Sequence, residues 1–158
     1  MGVQEVSIAK IRRRLYLLGL LKIPMIGYVK PRVLELTDEN VEVRIRLRRR
    51  TKNHLNSMYF GALAVGADLA AGVHAFYFAE KSGRKVSLAF KGIHGEFLKR
   101  AETDVFFTCN EGEAVRLAME NSFLQEERIN LPLMIQANNS HGELVATFEM
   151  ILSIKVKA

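Results

Sequence analysis

At 158 residues the chain is most simply one domain, long enough to hold a full hydrophobic core. With 49% apolar and 25% charged residues, a disordered or fibrous chain is excluded. The single cysteine, Cys109, excludes an internal disulfide and any zinc site of paired cysteines, which suits a reducing, cytoplasmic setting. The net charge of +6 suits an anionic partner: nucleic acid, a membrane surface or a phosphorylated ligand.

Residues 5–21 read as a first helix, with Ile8, Ile11, Leu15 and Leu18 three or four apart. Its apolar run from Leu15 is broken by Lys22, so it is too short to span a bilayer and weak as a signal peptide. Pro24, Gly27 and Pro31 punctuate its exit. A strand over about 27–36 then pairs with the alternating "VEVRIRLR" at 41–48 through the turn "TDEN". Residues 58–80 form a long helix of Ala, Gly, Val and Leu with no wide polar face, as a buried helix has. Strands follow at "VSLAFKG" and "DVFFTC", then an amphipathic helix over 111–127 with an acidic first turn. Two last strands, "INLPLMIQA" and "LVATFEMILSIKV", are joined by "NNSHG", and Pro132 belongs near an edge or a bulge. Hairpins dominate, so the class is α+β with an antiparallel sheet.

The stretch "TKNHLNSMYFGALAVGADLAAG" at 51–72 places one carboxylate, Asp68, inside that apolar helix. It resembles the helix-start motif of the hotdog acyl-CoA thioesterases, particularly the phenylacetyl-CoA thioesterase-like branch. There an Asn is followed six residues later by His-Gly-Gly, and an acid follows the last Gly by seven. Asn53 falls on the Asn, Gly61 on the second Gly and Asp68 on the acid, while Tyr59 replaces the His and Phe60 the first Gly. The sequence is also similar to a bacterial hotdog-type family of unassigned activity with an "N…MYFGAL" start. The resemblance covers residues 25–157. It implies a single hotdog domain over 1–158, an antiparallel sheet wrapped around a long central helix, with residues 1–24 as an N-terminal helical extension. It also implies a homodimer, or a dimer of dimers, with sites at the subunit interface.

Gly61 and Asp68 lie two turns apart on nearly the same helix face, about 10 Å along the axis. One thioester carbonyl is therefore reached by both only if two copies meet antiparallel, the helix N-terminus of one facing Asp68 of the other. The N–H groups of Phe60 and Gly61 then form an oxyanion hole, and Asp68 serves as general base or nucleophile. Asn53 orients water or the carbonyl, and Tyr59 donates a hydrogen bond where the family has His. The bland alternatives are a structural Asp68 bonded across a dimer and an Asn53 that caps a turn.

Coenzyme A, as part of the substrate, needs cations at the site mouth. Arg48, Arg49, Arg50 and Lys52, with Lys99 and Arg100, are the candidates, and His54 neighbours the site. No separate cofactor and no metal-ligand spacing is expected. The rival function is a hotdog protein that binds an acyl-CoA or similar ligand without hydrolysis. A hotdog dehydratase wants a His five residues after the Asp, where Val73 stands. Nucleic-acid binding rests on charge alone, without interleaved aromatics or a known motif.

Overall fold

A computed structural model describes residues 5–158, so residues 1–4 of the N-terminal extension lie outside the described residues. Ten elements follow in order: α1 (Ile8–Leu21), α2 (Pro24–Val29), β1 (Arg32–Leu36), β2 (Val41–Ile45), α3 (Phe60–Ser82), β3 (Lys85–Phe97), β4 (Val105–Cys109), α4 (Gly112–Gln125), β5 (Ile129–Asn139) and β6 (Leu144–Lys157). The strands form one antiparallel sheet in the order β1-β2-β4-β5-β6-β3, and the sheet wraps around α3. This is the α+β hotdog arrangement.

The strand expected over 27–36 is a correction: a short helix, α2, occupies residues 24–29, and β1 begins only at Arg32. Pro24 presets the helical φ at the first turn. Gly27 packs so closely on Gly19 of α1 that a Cβ on it would stand 2.7 Å from the Gly19 carbonyl oxygen. Lys30, at a left-handed φ of 56°, then ends the turn ahead of Pro31. The two glycines thus lock α1 and α2 into a tight helical hairpin. At the head of α1, Ser7 accepts a hydrogen bond from the Lys10 N–H at 3.3 Å.

The small residues of α3 let the sheet approach. Gly66 faces the buried ring of Phe107 on β4, and Gly72 faces Leu88 and Phe90 on β3. This 23-residue helix is long and apolar enough to cross a membrane, but 83% of its most apolar window is buried inside the fold. Its C-terminal half pins the 37–40 turn. The Nε2–H of His74 donates to the Thr37 carbonyl at 3.0 Å, and Tyr77 donates to Asp38 at 2.7 Å. Lys81 completes this contact, and its ammonium holds the Asp38 carboxyl below the usual carboxylate range. Pro132 sits where β5 has left β4, because β4 pairs only with residues 136–139 of β5. There the carboxylate of Glu111 replaces the missing strand and accepts from the Met134 N–H at 2.6 Å.

Candidate active site at the start of the central helix

Within Phe60–Glu80, only residues 60, 61, 64, 68, 76 and 80 of α3 escape full burial. Apart from Gly61 they follow one four-residue ridge, the row of side chains that an α-helix sets along i, i+4 spacing. The sheet, α2 and α4 cover the other faces, and the ridge is the outward one, met by Arg14 and Lys10 of α1 only at Phe76 and Glu80. Asp68 is therefore a half-buried carboxylate on the single open line of an otherwise enclosed helix. Among the described residues no hydrogen bond or ion pair reaches it, and burial alone pushes its carboxyl up to about 6.

The ridge begins at a helix N-terminus with free donors. Tyr59 is the cap residue in extended conformation and makes no side-chain capping bond. Its carbonyl accepts from the Ala62 and Leu63 N–H groups, whereas those of Phe60 and Gly61 have no acceptor among the described residues. The ring of Tyr59 folds over Gly61, where a Cβ would stand 2.6 Å from it. It also packs against Phe60 with ring centroids 4.8 Å apart, and Phe60 meets Phe97 of β3 edge-on at 6.5 Å. Phe60 and Phe97 are both largely exposed, so an aromatic cluster surrounds the donors.

The loop that leads in is held by its own side chains. Asn53 Oδ1 accepts from the N–H groups of Leu55 and Ser57 at 2.9 and 3.2 Å and from the Ser57 hydroxyl at 3.1 Å. Its carbonyl oxygen thus shapes the turn. Thr51, which the sequence did not single out, is almost fully buried. Its hydroxyl donates to the Arg46 carbonyl at 2.7 Å and accepts from the Arg48 N–H at 2.9 Å, and its own carbonyl receives the Tyr59 N–H. The signal for it was a lone Thr between basic residues, which reads as surface. Thr51→Val keeps the shape but strands both partners, so it is expected to cost about 1–2 kcal/mol in a denaturant titration.

The candidate cations are spread around this loop. The Met58 N–H bonds to the Ala101 carbonyl at 2.8 Å, which draws the 98–104 segment, with Arg100, against the loop that carries Lys52. Lys52, His54, Arg100, Arg48 and Arg49 are exposed. Lys99 is engaged by Glu143. Arg50 turns toward α2, where it lies 5.8 Å from the Tyr28 ring and bonds to the Tyr28 carbonyl. Cys109 is buried and its thiol is pushed up to about 11, so it packs rather than reacts. No group of three or more metal-ligating side chains occurs among the described residues.

Over residues 12–154 the sequence matches the family described as "domain of unknown function (DUF4442)". No curated protein matches it. Among solved structures it is similar to a Pseudomonas aeruginosa protein of unknown function, described as a probable thioesterase, at 23% identity and a TM-score of 0.78, covering 99% of this chain and 100% of that one. A Chlorobaculum tepidum protein of unknown function superimposes with a TM-score of 0.81 at 10% identity, over 94% of this chain and 96% of that one. A Haemophilus influenzae thioesterase does so with a TM-score of 0.68 at 11% identity, over 96% and 92%.

Proposed function

The chain belongs to the DUF4442 family, and from that premise and the site geometry we propose that it hydrolyses acyl-CoA thioesters in the cytoplasm. The observation that carries the proposal is Asp68, a carboxyl without a partner among the described residues, held up near 6 on the open ridge of a helix whose first N–H groups likewise have no acceptor among them. A group poised there is largely ionised at neutral pH yet basic enough to take a proton. The probable-thioesterase description of the Pseudomonas aeruginosa structure supports the same class.

In the proposed reaction Asp68 removes a proton from water as that water attacks the thioester carbon. The carbonyl oxygen becomes an oxyanion facing the N–H groups of Phe60 and Gly61 in a second copy. Collapse breaks the carbon–sulfur bond, and the proton held by Asp68 passes to the departing thiolate. Direct attack by Asp68, with an acyl-enzyme anhydride that water then opens, is the covalent variant. Asn53 serves by fixing the loop, Tyr59 by closing over the carbonyl, and the exposed Lys52, His54 and Arg100 by meeting the phosphates, whereas Arg50 is held on Tyr28 and Lys99 by Glu143. The aromatic cluster of Tyr59, Phe60 and Phe97 favours aromatic acyl groups, as in the phenylacetyl-CoA branch.

The site needs a homodimer. Strand β3 is a sheet edge of thirteen residues whose outer side has no partner strand among the described residues, with Ile93 and Phe97 more than half exposed. Such an edge is a template for pairing with another strand. The rival, ligand binding without turnover, is favoured by one observation: the Tyr59 ring lies across Gly61.

The test is free-thiol release from short, medium, long and aromatic acyl-CoAs by the wild type and by Asp68→Asn. Turnover that collapses in the variant supports the proposal. Stabilisation of the protein by coenzyme A with no thiol release from any substrate leaves the binding protein instead.

A further inference from the structure

The positive charge of this chain is not spread over it. Residues 1–32 hold seven lysines and arginines against one acid, Glu5, and thus the whole net charge of +6, while residues 33–158 carry sixteen charges of each sign. The same segment carries the largest group of exposed apolar side chains. On the α1–α2 hairpin Leu20, Leu21 and Met25 are 61%, 72% and 64% exposed, and Tyr16, Ile23 and Tyr28 are exposed beside them. The residues from Leu20 to Met25 form the bend between the two helices, so the tip of the hairpin is apolar.

Core packing does not account for this composition. The hairpin faces its own domain with Ile11, Leu15, Ile26 and Val29, all buried. Salt bridges to Glu80 take Lys10 and Arg14, and Arg12 bonds to the Val33 carbonyl. Arg13, Lys22, Lys30 and Arg32 remain exposed, with no ion pair among the described residues. An apolar tip ringed by unpaired cations matches the depth profile of an anionic bilayer surface, apolar within and negative at the headgroups. The shape fits as well, because the contact of Gly19 with Gly27 makes the hairpin a preformed wedge. Beside the wedge, an apolar groove of about 170 Å³ opens between α1 and α3, lined by Leu15, Leu18, Leu21 and Phe76. Its inner wall, Phe76, lies on the ridge that also carries Asp68.

We propose that the α1–α2 hairpin docks this protein on anionic lipid surfaces, with Leu20, Leu21, Ile23 and Met25 entering the headgroup layer and Arg13, Lys22, Lys30 and Arg32 meeting the lipid phosphates. The helices lie at the interface and do not cross it. Docking makes no use of Asp68 or of thioester chemistry.

The experiment is co-sedimentation of the full chain with phosphatidylcholine vesicles, with and without phosphatidylglycerol, at low and high salt. Binding is expected to the anionic vesicles, much less to the neutral ones, and to weaken as salt rises. Lys22→Gln with Lys30→Gln should weaken it about fivefold for each cation removed. Leu20→Glu with Leu21→Glu should abolish it with the melting temperature unchanged, since both side chains are exposed. No preference for anionic vesicles overturns the proposal. So do glutamate variants that still bind vesicles but sediment as smaller particles, because the hairpin would then be a contact between two copies of this chain. Neither readout depends on thiol release, so docking and hydrolysis fail separately.

Discussion

At pH 7.5 the Asp68→Asn protein is expected to be more stable than the wild type by about 2 kcal/mol, or roughly 5 °C in melting temperature, while its thiol release falls by about 10²–10⁴-fold. The stability gain follows from the sign of the perturbation. Burial holds the Asp68 carboxyl near 6 in the folded chain, above its ordinary value of 3.8. Between those two values the folded state keeps a proton that the unfolded state has lost, so wild-type stability falls as pH rises through that window. Above pH 6 the full penalty is present, and Asn, uncharged throughout, escapes it. Below about pH 4 both states of the wild type are protonated, and the gain from Asn should vanish. Paired denaturant titrations at pH 4 and pH 7.5, at one protein concentration, check this.

The result separates the two readings of Asp68. A structural carboxylate bonded across a dimer gains from its charge, so Asn would weaken the protein at neutral pH. A carboxylate kept bare for proton transfer costs stability where it stands, and its removal returns that cost. A destabilised Asp68→Asn protein would instead mean that the Asp68 charge finds a partner across the dimer, and thiol release by the same variant then decides whether that charge also takes part in the reaction.

The elements of the fold were largely legible because their signals are local. Alternation marked β2 and β6, the small apolar run marked α3, and "NNSHG" marked the turn between β5 and β6. Alternation also showed where β3 begins. Its extension to Phe97 depends on the register that sets Phe97 opposite Ala146, which no local pattern states. The misread strand at 27–29 has the same cause. Residues "PMIGYV" carry no strong helical period, and they become helical because Gly27 meets Gly19 eight residues away.

The site was legible as a spacing and less so as an arrangement. The interval from Gly61 to Asp68 placed both on one helix face, but the helix composition suggested burial all round. Only the three-dimensional wrap of the sheet leaves the ridge through residues 64, 68 and 76 open. The support beneath the site was hidden more deeply. Thr51 and Ser57 look like ordinary loop residues until their hydroxyls are seen bonded within the turn. Likewise, Ile8, Ile11, Leu15 and Leu18 marked only one face of a first helix, whereas its exposed leucines and the clustering of charge emerge once the buried side is subtracted.

Gly66→Ala should damage both the core and the site, through one contact. A Cβ on Gly66 would stand 2.3 Å from two ring atoms of Phe107. That ring is fully buried on β4, so it has no free space to swing into. Either the ring leaves its rotamer or α3 lifts away from the sheet, and overpacking of this kind costs about 1–3 kcal/mol. The better helix propensity of Ala offsets up to about 1 kcal/mol of that. A net loss of about 2 kcal/mol is expected in denaturant titration. If α3 lifts, the ridge lifts with it, and Asp68 is only two residues further on. A displacement near 1 Å is enough to cost about a hundredfold in rate when geometry carries the reaction, so thiol release should fall more than stability alone explains. Phe107→Leu in the same chain makes room for the new methyl. The double variant should recover part of both losses, giving a favourable coupling of about 1 kcal/mol or more between the two positions. Additive losses would mean that Gly66 is there for a reason other than the approach of β4 to the helix.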